Sequence, residues 1–421
     1  MSAPAVTAVR RASHRAPTAA RPITIALLGL GCIGSAVARG ARRAPHPLRI
    51  VGALVRDASP ARAARAGIEL TTDAARLFAA RPDVVVEVLG GIEPARTLVR
   101  AALERRIPVV TANKALIAHH GDELFDIAAR TRTPLRYEAS VLAGVPFLGT
   151  FAGRPLASRA SRLTGILNGT SNFILSRVAR AGESIATAIN EAQQRGFAEP
   201  DPSDDISGRD AVHKLAVLAW HFGFGIVSPG AIETTGITGI RASDVGAARD
   251  LGGTIKPVAC IESEGGGAAA FVGPAFVPAA HPLASIDGVE NALVLDTESG
   301  RLVFSGPGAG PLPTATTILD DVIEAVRGSR THPLPRRRGD VRVSASSSEW
   351  LLHLAGDRVP GAPQCAQILA SHGVGIGRSL SQERDRWILT EPSEPDRIDA
   401  ALRACSASVP CDASAIRALA Q

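Results

Sequence analysis

A chain of 421 residues, 45% hydrophobic and 20% charged, can bury roughly two to four domain cores, which excludes a disordered protein. No run approaches the ~18 consecutive apolar residues of a membrane span, so no membrane partner is expected. The formal net charge of +6 owes four positives to Arg10, Arg11, Arg15 and Arg21, within the first 22 residues, which hold no acid. The rest of the chain carries only +2, so neither a broad phosphate-binding face nor a nucleic-acid partner is expected.

Residues 1–21, rich in Arg, Ala and Ser, lack the continuous apolar core of a secretory signal. They read as a solvated tail, with an organellar transit peptide as the alternative. Five scattered cysteines (Cys32, Cys260, Cys365, Cys405, Cys411) form no CxxC pair, and no His cluster has metal-ligand spacing. A reducing compartment, the cytoplasm, is the expected location. Of 46 basic residues 43 are Arg, and only Lys114, Lys214 and Lys256 are Lys. Arg cannot release its proton in a protein, so the few lysines are the first places to look for proton chemistry.

Ile23 to Leu28 reads as a buried parallel strand, followed by Gly29-Leu30-Gly31-Cys32-Ile33-Gly34 and a helical pattern from Ser35. Further strands are expected at Arg49–Val55, Asp83–Val88 and Pro108–Thr111, with a helix over Pro94–Arg106. Strands alternating with helices over 22–135 specify α/β architecture, a Rossmann-type doubly wound parallel sheet. Residues 136–305 read as a second, α+β unit, with strands at Ser161–Leu167 and Ala292–Asp296 and helices at Glu183–Arg195 and Asp210–Phe222. Residues 306–328 return through a helix over Thr314–Arg327, and 329–348 read as a linker. From 349 to 421 a small unit is expected, with strands Glu349–Ala355 and Arg386–Thr390 and helices Pro363–His372 and Pro395–Cys405.

Gly29, Gly31 and Gly34 have GxGxxG spacing between a strand and a helix, the arrangement that sets a dinucleotide pyrophosphate on a helix N-terminus. At the tip of the second strand Arg56 can pair with a 2′-phosphate, favouring NADP, while Asp57 leaves NAD open. Lys114, after Thr111-Ala112-Asn113, follows the carboxyl end of a strand, the edge where ligands gather in open α/β sheets. Residues Gly196 to Lys214 hold five carboxylates within twelve residues, on a segment that two prolines keep out of helix. Ser207 is expected to cap a helix starting near Gly208. On that apolar, buried helix Asp210 and Lys214 share a face four residues apart. Exposed, such a pair contributes about 0.3–0.5 kcal/mol. Buried, it can hold an ammonium that gives a proton to a developing alkoxide and withdraws it in reverse. Gly306-Pro307-Gly308-Ala309-Gly310 offers backbone donors before a helix.

These motifs resemble homoserine dehydrogenase. Ala192 to Lys214 is similar to that family's signature, Asn168 to Leu175 to its NGT(S/T)N block, and Tyr137 to Pro146, Thr111 to Lys114 and Gly306 to Gly310 fall in its order, covering about 22–328. The resemblance implies reversible NAD(P)-dependent reduction of L-aspartate 4-semialdehyde to L-homoserine. It makes Lys214 the proton donor, has Asp210 position substrate and lysine, and has Glu199 hold the substrate ammonium. Lys114 would sit between cofactor and substrate. Gly29, Gly31, Cys32, Ile33, Gly34, Arg56 and Gly308 would face the cofactor. A sodium-like ion is implied at Glu138, Val141, Ala143 and Val145, as is a homodimer or homotetramer. The tail resembles a degenerate ACT module of βαβ type, with Asp357 to Gly361 replacing its usual turn, which makes threonine a candidate allosteric ligand. Another Rossmann-fold semialdehyde reductase and a non-catalytic cofactor sensor are the alternatives. The sensor would have no reason to keep Glu199, Asp210 and Lys214. A thiol-dependent dehydrogenase would need a nucleophilic Cys, yet Cys32 lies in the glycine loop.

Overall fold

Alternate residues of Ile23–Leu28 (β1) are apolar on both faces because both faces are covered. Ala26 and Leu28 enter one core, with Val85, Val109 and Leu116. Ile25 and Leu27 enter another, with Val37, Ile318 and Val322. In this computed structural model residues 21–145, 147–153, 158–264, 267–327, 343–344, 347–382 and 384–419 are described. β1 is joined by β2 (Leu48–Leu54), β3 (Leu70–Thr71), β4 (Val84–Glu87), β5 (Val109–Thr111) and β6 (Leu135–Arg136). All five pairings are parallel, in the order β3-β2-β1-β4-β5-β6, the doubly wound sheet that the alternation of elements specifies. The helix Pro311–Arg327 returns to this sheet and packs on the Cys32–Ala41 helix, where a Cβ on Gly40 would fall 2.8 Å from Leu319 Cδ1.

The second sheet has eleven strands, β7 (Ala160–Ile166), β8 (Glu233–Thr234), β9 (Gly253–Glu264), β10 (Gly267–Pro278), β11 (Glu290–Thr297), β12 (Gly300–Pro307), β13 (Val343–Ser344), β14 (Glu349–Ala355), β15 (Ile376–Gln382), β16 (Asp385–Thr390) and β17 (Asp412–Ala418). Nine run in the order β12-β11-β7-β9-β10-β17-β14-β16-β15, while β8 and β13 pair sideways with β10. The β9–β10 hairpin escapes the sequence pattern. β10 is mostly Gly, Ala and Pro, residues of low strand propensity that are held by burial on both faces, and its Pro274 lies opposite Pro257 of β9.

The carboxyl-terminal unit corrects the βαβ expectation. Two further strands, β15 and β17, make it β-α-β-β-α-β, with helices Ala362–Ser371 and Pro395–Ser408. It shares a sheet with the rest of the chain through β17 on β10. Trp350, Leu352 and Leu354 face its own helices. Leu351, Trp387, Leu389 and Ile416 pack against Phe173, Ile174 and Val245 of the second unit. Asp244 fastens this contact, accepting from Trp387 Nε1 at 3.0 Å and lying 2.6 Å from His353 Nδ1. Of the expected linker, 329–342 and 345–346 lie outside the described residues, and Val343–Ser344 forms β13. The expected tail likewise lies outside them except Arg21, which pairs with Asp83 at 2.6 Å. No helix of the described residues is long and apolar enough to cross a membrane.

The segment crossing between the sheets is held on the Arg209–His221 helix by aromatic packing. Phe125 stacks on Trp220 at 4.3 Å between centroids, and the Tyr137 hydroxyl lies 2.8 Å from His221 Nδ1. Burial pulls the His221 pKa down from 6.5 to about 4, so the folded protein binds fewer protons than the unfolded chain between those values. Unfolding free energy should therefore fall as the pH drops through this window, by up to roughly 3 kcal/mol. Urea midpoints measured across that range should show the slope in the native protein and a flatter one in His221→Gln.

Candidate active site

Two of the three loop glycines are demanded by the fold itself. Gly29 adopts φ +106°, and a Cβ on it would lie 2.8 Å from Val88 O. A Cβ on Gly34 would lie 2.3 Å from Gly29 O, so the helix packs directly on the turn. Gly31 differs, because a Cβ there would meet nothing within 4 Å. The space beside it is open at the N-terminus of Cys32–Ala41, which has no side-chain cap and no acid in its first turn. Free N–H groups and open space suit a pyrophosphate. Cys32 is exposed and Ile33 half-buried at the same mouth. At the tip of β2 Arg56 is exposed, while Asp57 turns back onto its own loop and accepts from Ser59 N at 3.0 Å.

The carboxyl edge of the first sheet carries a residue that sequence reading missed. Glu87, at the end of β4, is wholly buried. It accepts from Leu89 N at 2.8 Å and from Thr111 Oγ1, and more distantly from Asn113 Nδ2. Burial pushes its pKa up, and these hydrogen bonds oppose that rise. Asn113 in turn caps the Lys114–Thr131 helix, accepting from Leu116 N at 3.1 Å. Lys114 is thereby fixed as the first residue of a helix at that edge.

The Arg209–His221 helix brings the second unit to the same point. Asp210 Oδ1 lies 2.5 Å from Lys114 Nζ, and its Oδ2 lies 3.0 Å from Lys214 Nζ. Lys214 Nζ also donates to Leu167 O at 2.7 Å. Asn168, beside that carbonyl, donates to Asp210 Oδ2 at 2.9 Å and to Asp205 Oδ1 at 2.7 Å. Its own Oδ1 accepts from Ser171 N and caps the Gly169–Ala181 helix. Burial would raise the Asp210 pKa, but the charges of Lys214 and Lys114 outweigh it and hold the carboxyl far below its usual range. Burial likewise pulls the Lys114 ammonium down, and Asp210 together with Asp205 and Asp204 more than compensates, leaving its pKa raised.

The structure thus brings Lys114, Asp210 and Lys214 together, and it does not bring Glu199 to them. It is exposed on the segment before Ser203, where its main-chain oxygen accepts from Gln193 Nε2, and it makes no ion pair with either lysine. Two local expectations need correction. Residues Ser203–Ile206 do form a short helix, because Pro202 precedes its first turn rather than interrupting it. Ser207 does not cap the next helix. Gly208, at φ +88°, is its N-cap, and Ser207 Oγ is buried without a hydrogen-bond partner among the described residues. Lys256 is also structural, buried against Asp287 Oδ1 at 2.9 Å and Ile286 O at 2.6 Å.

Gly308 is buried over Asn291, and a Cβ there would lie 1.9 Å from Asn291 Cγ. Glu138, Val141, Ala143 and Val145 are buried on one turn. Burial lifts the Glu138 pKa to about 7, although its carboxylate accepts from the main-chain N–H groups of Leu148, Gly149 and Phe147. Asn168 was legible as a helix cap before Gly-Thr. Glu87 and Asn291 carry no comparable signal, since one acid or amide in an apolar strand looks like many others.

Because Asp210 neutralises Lys214 at a buried position, Asp210→Ala should lower the unfolding free energy by about 3–5 kcal/mol. Adding Lys214→Met should restore most of it, as read by urea denaturation.

Comparison with known proteins places the whole chain. The family model "Homoserine dehydrogenase" matches residues 146–323, and "Homoserine dehydrogenase, NAD binding domain" matches 29–138. A homoserine dehydrogenase of Corynebacterium glutamicum is 36% identical over 386 residues, 86% of each chain. One of Mycobacterium tuberculosis is 39% identical over 323 residues, 73% of each chain. The crystal structure of a homoserine dehydrogenase from Thiobacillus denitrificans superposes with a TM-score of 0.87 at 31% identity, covering 95% of this chain and 98% of that one. A hyperthermophilic archaeal homoserine dehydrogenase in complex with NADPH superposes with a TM-score of 0.63 at 25% identity, covering 74% and 99%. With a parallel nucleotide sheet, a shared carboxylate at its edge and this similarity along most of its length, the chain belongs to the homoserine dehydrogenase family of NAD(P)-dependent oxidoreductases.

Proposed function

We propose that Lys214 is the proton donor of this homoserine dehydrogenase in the reversible reduction of L-aspartate 4-semialdehyde to L-homoserine. The observation that carries this reading is the state of its ammonium. Of three N–H donors, one is directed to Asp210 and one to Leu167 O, which leaves one for a substrate oxygen. A nicotinamide dinucleotide, when bound, supplies or withdraws the hydride. Lys214 stabilises the oxygen that gains negative charge and passes it a proton, and in reverse it receives that proton. Asp210 orients Lys214 and Lys114 by charge while staying ionised. Lys114, partly exposed at the sheet edge, extends between the two ligands. Glu199, exposed on the segment before Ser203 and apart from the lysines in this conformation, would be the carboxylate for the substrate ammonium.

Gly29, Gly31, Cys32, Ile33 and Gly34 would hold the pyrophosphate and Gly308 the nicotinamide end. The exposed guanidinium of Arg56, with Asp57 turned away, favours NADP over NAD, and the NADPH complex of the archaeal relative supports that preference. A monovalent cation would be held by main-chain oxygens of Glu138, Val141, Ala143 and Val145, because both Glu138 side-chain oxygens are engaged by N–H groups. A homodimer or homotetramer is supported by β12, an edge strand that exposes Leu302 and Val303. The cytoplasm is the proposed location.

Lys214→Ala should lower kcat by about 10²–10⁴-fold while the NADPH Kd stays within a few fold. A mutant turning over near the native rate, in an assay following NADPH oxidation with aspartate semialdehyde, ends the assignment. We assign the carboxyl-terminal unit a threonine-binding role on its β-α-β-β-α-β order. Removing the unit would strip apolar cover from Phe173, Ile174 and Val245, so the test uses the whole chain. Saturating threonine should slow the full-length enzyme several-fold, and unchanged initial rates would discard the role.

A further inference from the structure

Asn291 is wholly buried, yet neither its Nδ2 nor its Oδ1 has a hydrogen-bond partner among the described residues. A buried amide with both groups unpaired costs stability, and interiors rarely keep one without a use for it. Its position gives the use. Asn291 is the second residue of β11, opposite Gly306 of β12. Leu293 and Leu295, on the same face of that strand, join the core that contains Leu167, Ala211 and Leu215. Ala292 and Val294 face the other way, into a separate core. The carboxamide therefore points to the side of the sheet that carries Lys214.

It lies between two glycines of the candidate site. A Cβ on Gly308 would fall 1.9 Å from its Cγ, and one on Gly169 would fall 3.3 Å from its Oδ1. Gly169 follows Asn168, which holds Asp210, and Leu167, which holds Lys214. Only the missing side chain of Gly308 lets the Gly306–Gly310 loop lie over the amide.

The unsatisfied pair is one donor and one acceptor, both neutral, in a place without water access. A ligand group that completes it must offer an acceptor and a donor side by side, with no charge to desolvate. The α-ammonium and α-carboxylate of an amino-acid substrate are charged, and Lys114 and Asp205 offer charge for them around Asp210 and Asn168. A primary carboxamide is the match.

We propose that Asn291 binds the carboxamide of the nicotinamide ring, Nδ2 donating to its carbonyl oxygen and Oδ1 accepting from its N–H, once the Gly306–Gly310 loop yields that place. The inference rests on the cofactor reading given above. It makes Asn291 a cofactor-binding residue that sets which face of the ring is turned toward Lys214.

The test compares the native chain with Asn291→Leu, close in shape but unable to hydrogen-bond, and with Asn291→Ala in case Leu crowds the loop. Binding of NADPH and of 2′-phospho-ADP-ribose, which lacks the nicotinamide, is measured by calorimetry without the aldehyde. NADPH should bind about tenfold more weakly to both variants, the loss expected for two neutral hydrogen bonds, and the fragment should bind as to the native chain. The Tm of the ligand-free variants should match or exceed the native value, whereas loss of a structural hydrogen bond would lower it. Unchanged NADPH affinity, with only the KM for the aldehyde raised, would overturn the proposal in favour of a substrate contact. An equal loss for NADPH and the fragment would overturn it as well. A native chain that binds neither ligand would count against the cofactor reading itself, a result separate from any behaviour of the variants.

Discussion

A single carboxylate, Asp210, is shared by two ammonium groups that arrive from different sheets. Lys114 reaches it from the edge of the parallel sheet, and Lys214 from one helical turn further along its own helix. Two cations so close would repel one another, and one of them is buried, where an unpaired charge is costly. Asp210 removes both penalties and takes its own stabilisation from them, which is why its carboxyl stays ionised under burial. The pairing also joins the two units at the point where chemistry is needed. The cofactor sheet cannot shift against the second unit without stretching an ion pair.

Each neighbour of that carboxylate is fixed by a backbone device. Asn113 and Asn168 both cap helices, and each leaves its amide nitrogen free for a second task. Asn113 Nδ2 reaches Gly91 O and Glu87, tying the tip of β4 to the lysine helix. Asn168 Nδ2 reaches Asp205 and Asp210. The helix start and the charge that it positions are thus set by the same residue. Such coupling holds side chains within a fraction of an ångström, the tolerance that oriented proton transfer requires.

The carboxyl-terminal unit is built into the molecule rather than appended to it. Its sheet continues that of the second unit through β17, and one face rests on the helices Gly169–Ala181 and Ala242–Asp250. The first of these begins at Asn168, beside Asp210. The unit and the site are thus joined through one helix and its packed side chains.

The amino-acid sequence by itself determined the parallel sheet, because strands covered on both faces must be apolar throughout and their alternation with helices admits one architecture. It also determined that Asp210 and Lys214 share a helix face, since four residues is close to one turn. Only the tertiary structure decided that Lys114 joins them, that Gly208 instead of Ser207 caps their helix, and that Glu199 stands apart in this conformation. It also revealed the β9–β10 hairpin, Glu87 and Asn291, none of which has a local signature. The reason is physical. Periodicity and turn chemistry act between residues near in sequence, whereas a buried charge, an unpaired amide or a strand of Gly, Ala and Pro takes its meaning from whatever distant segment packs against it.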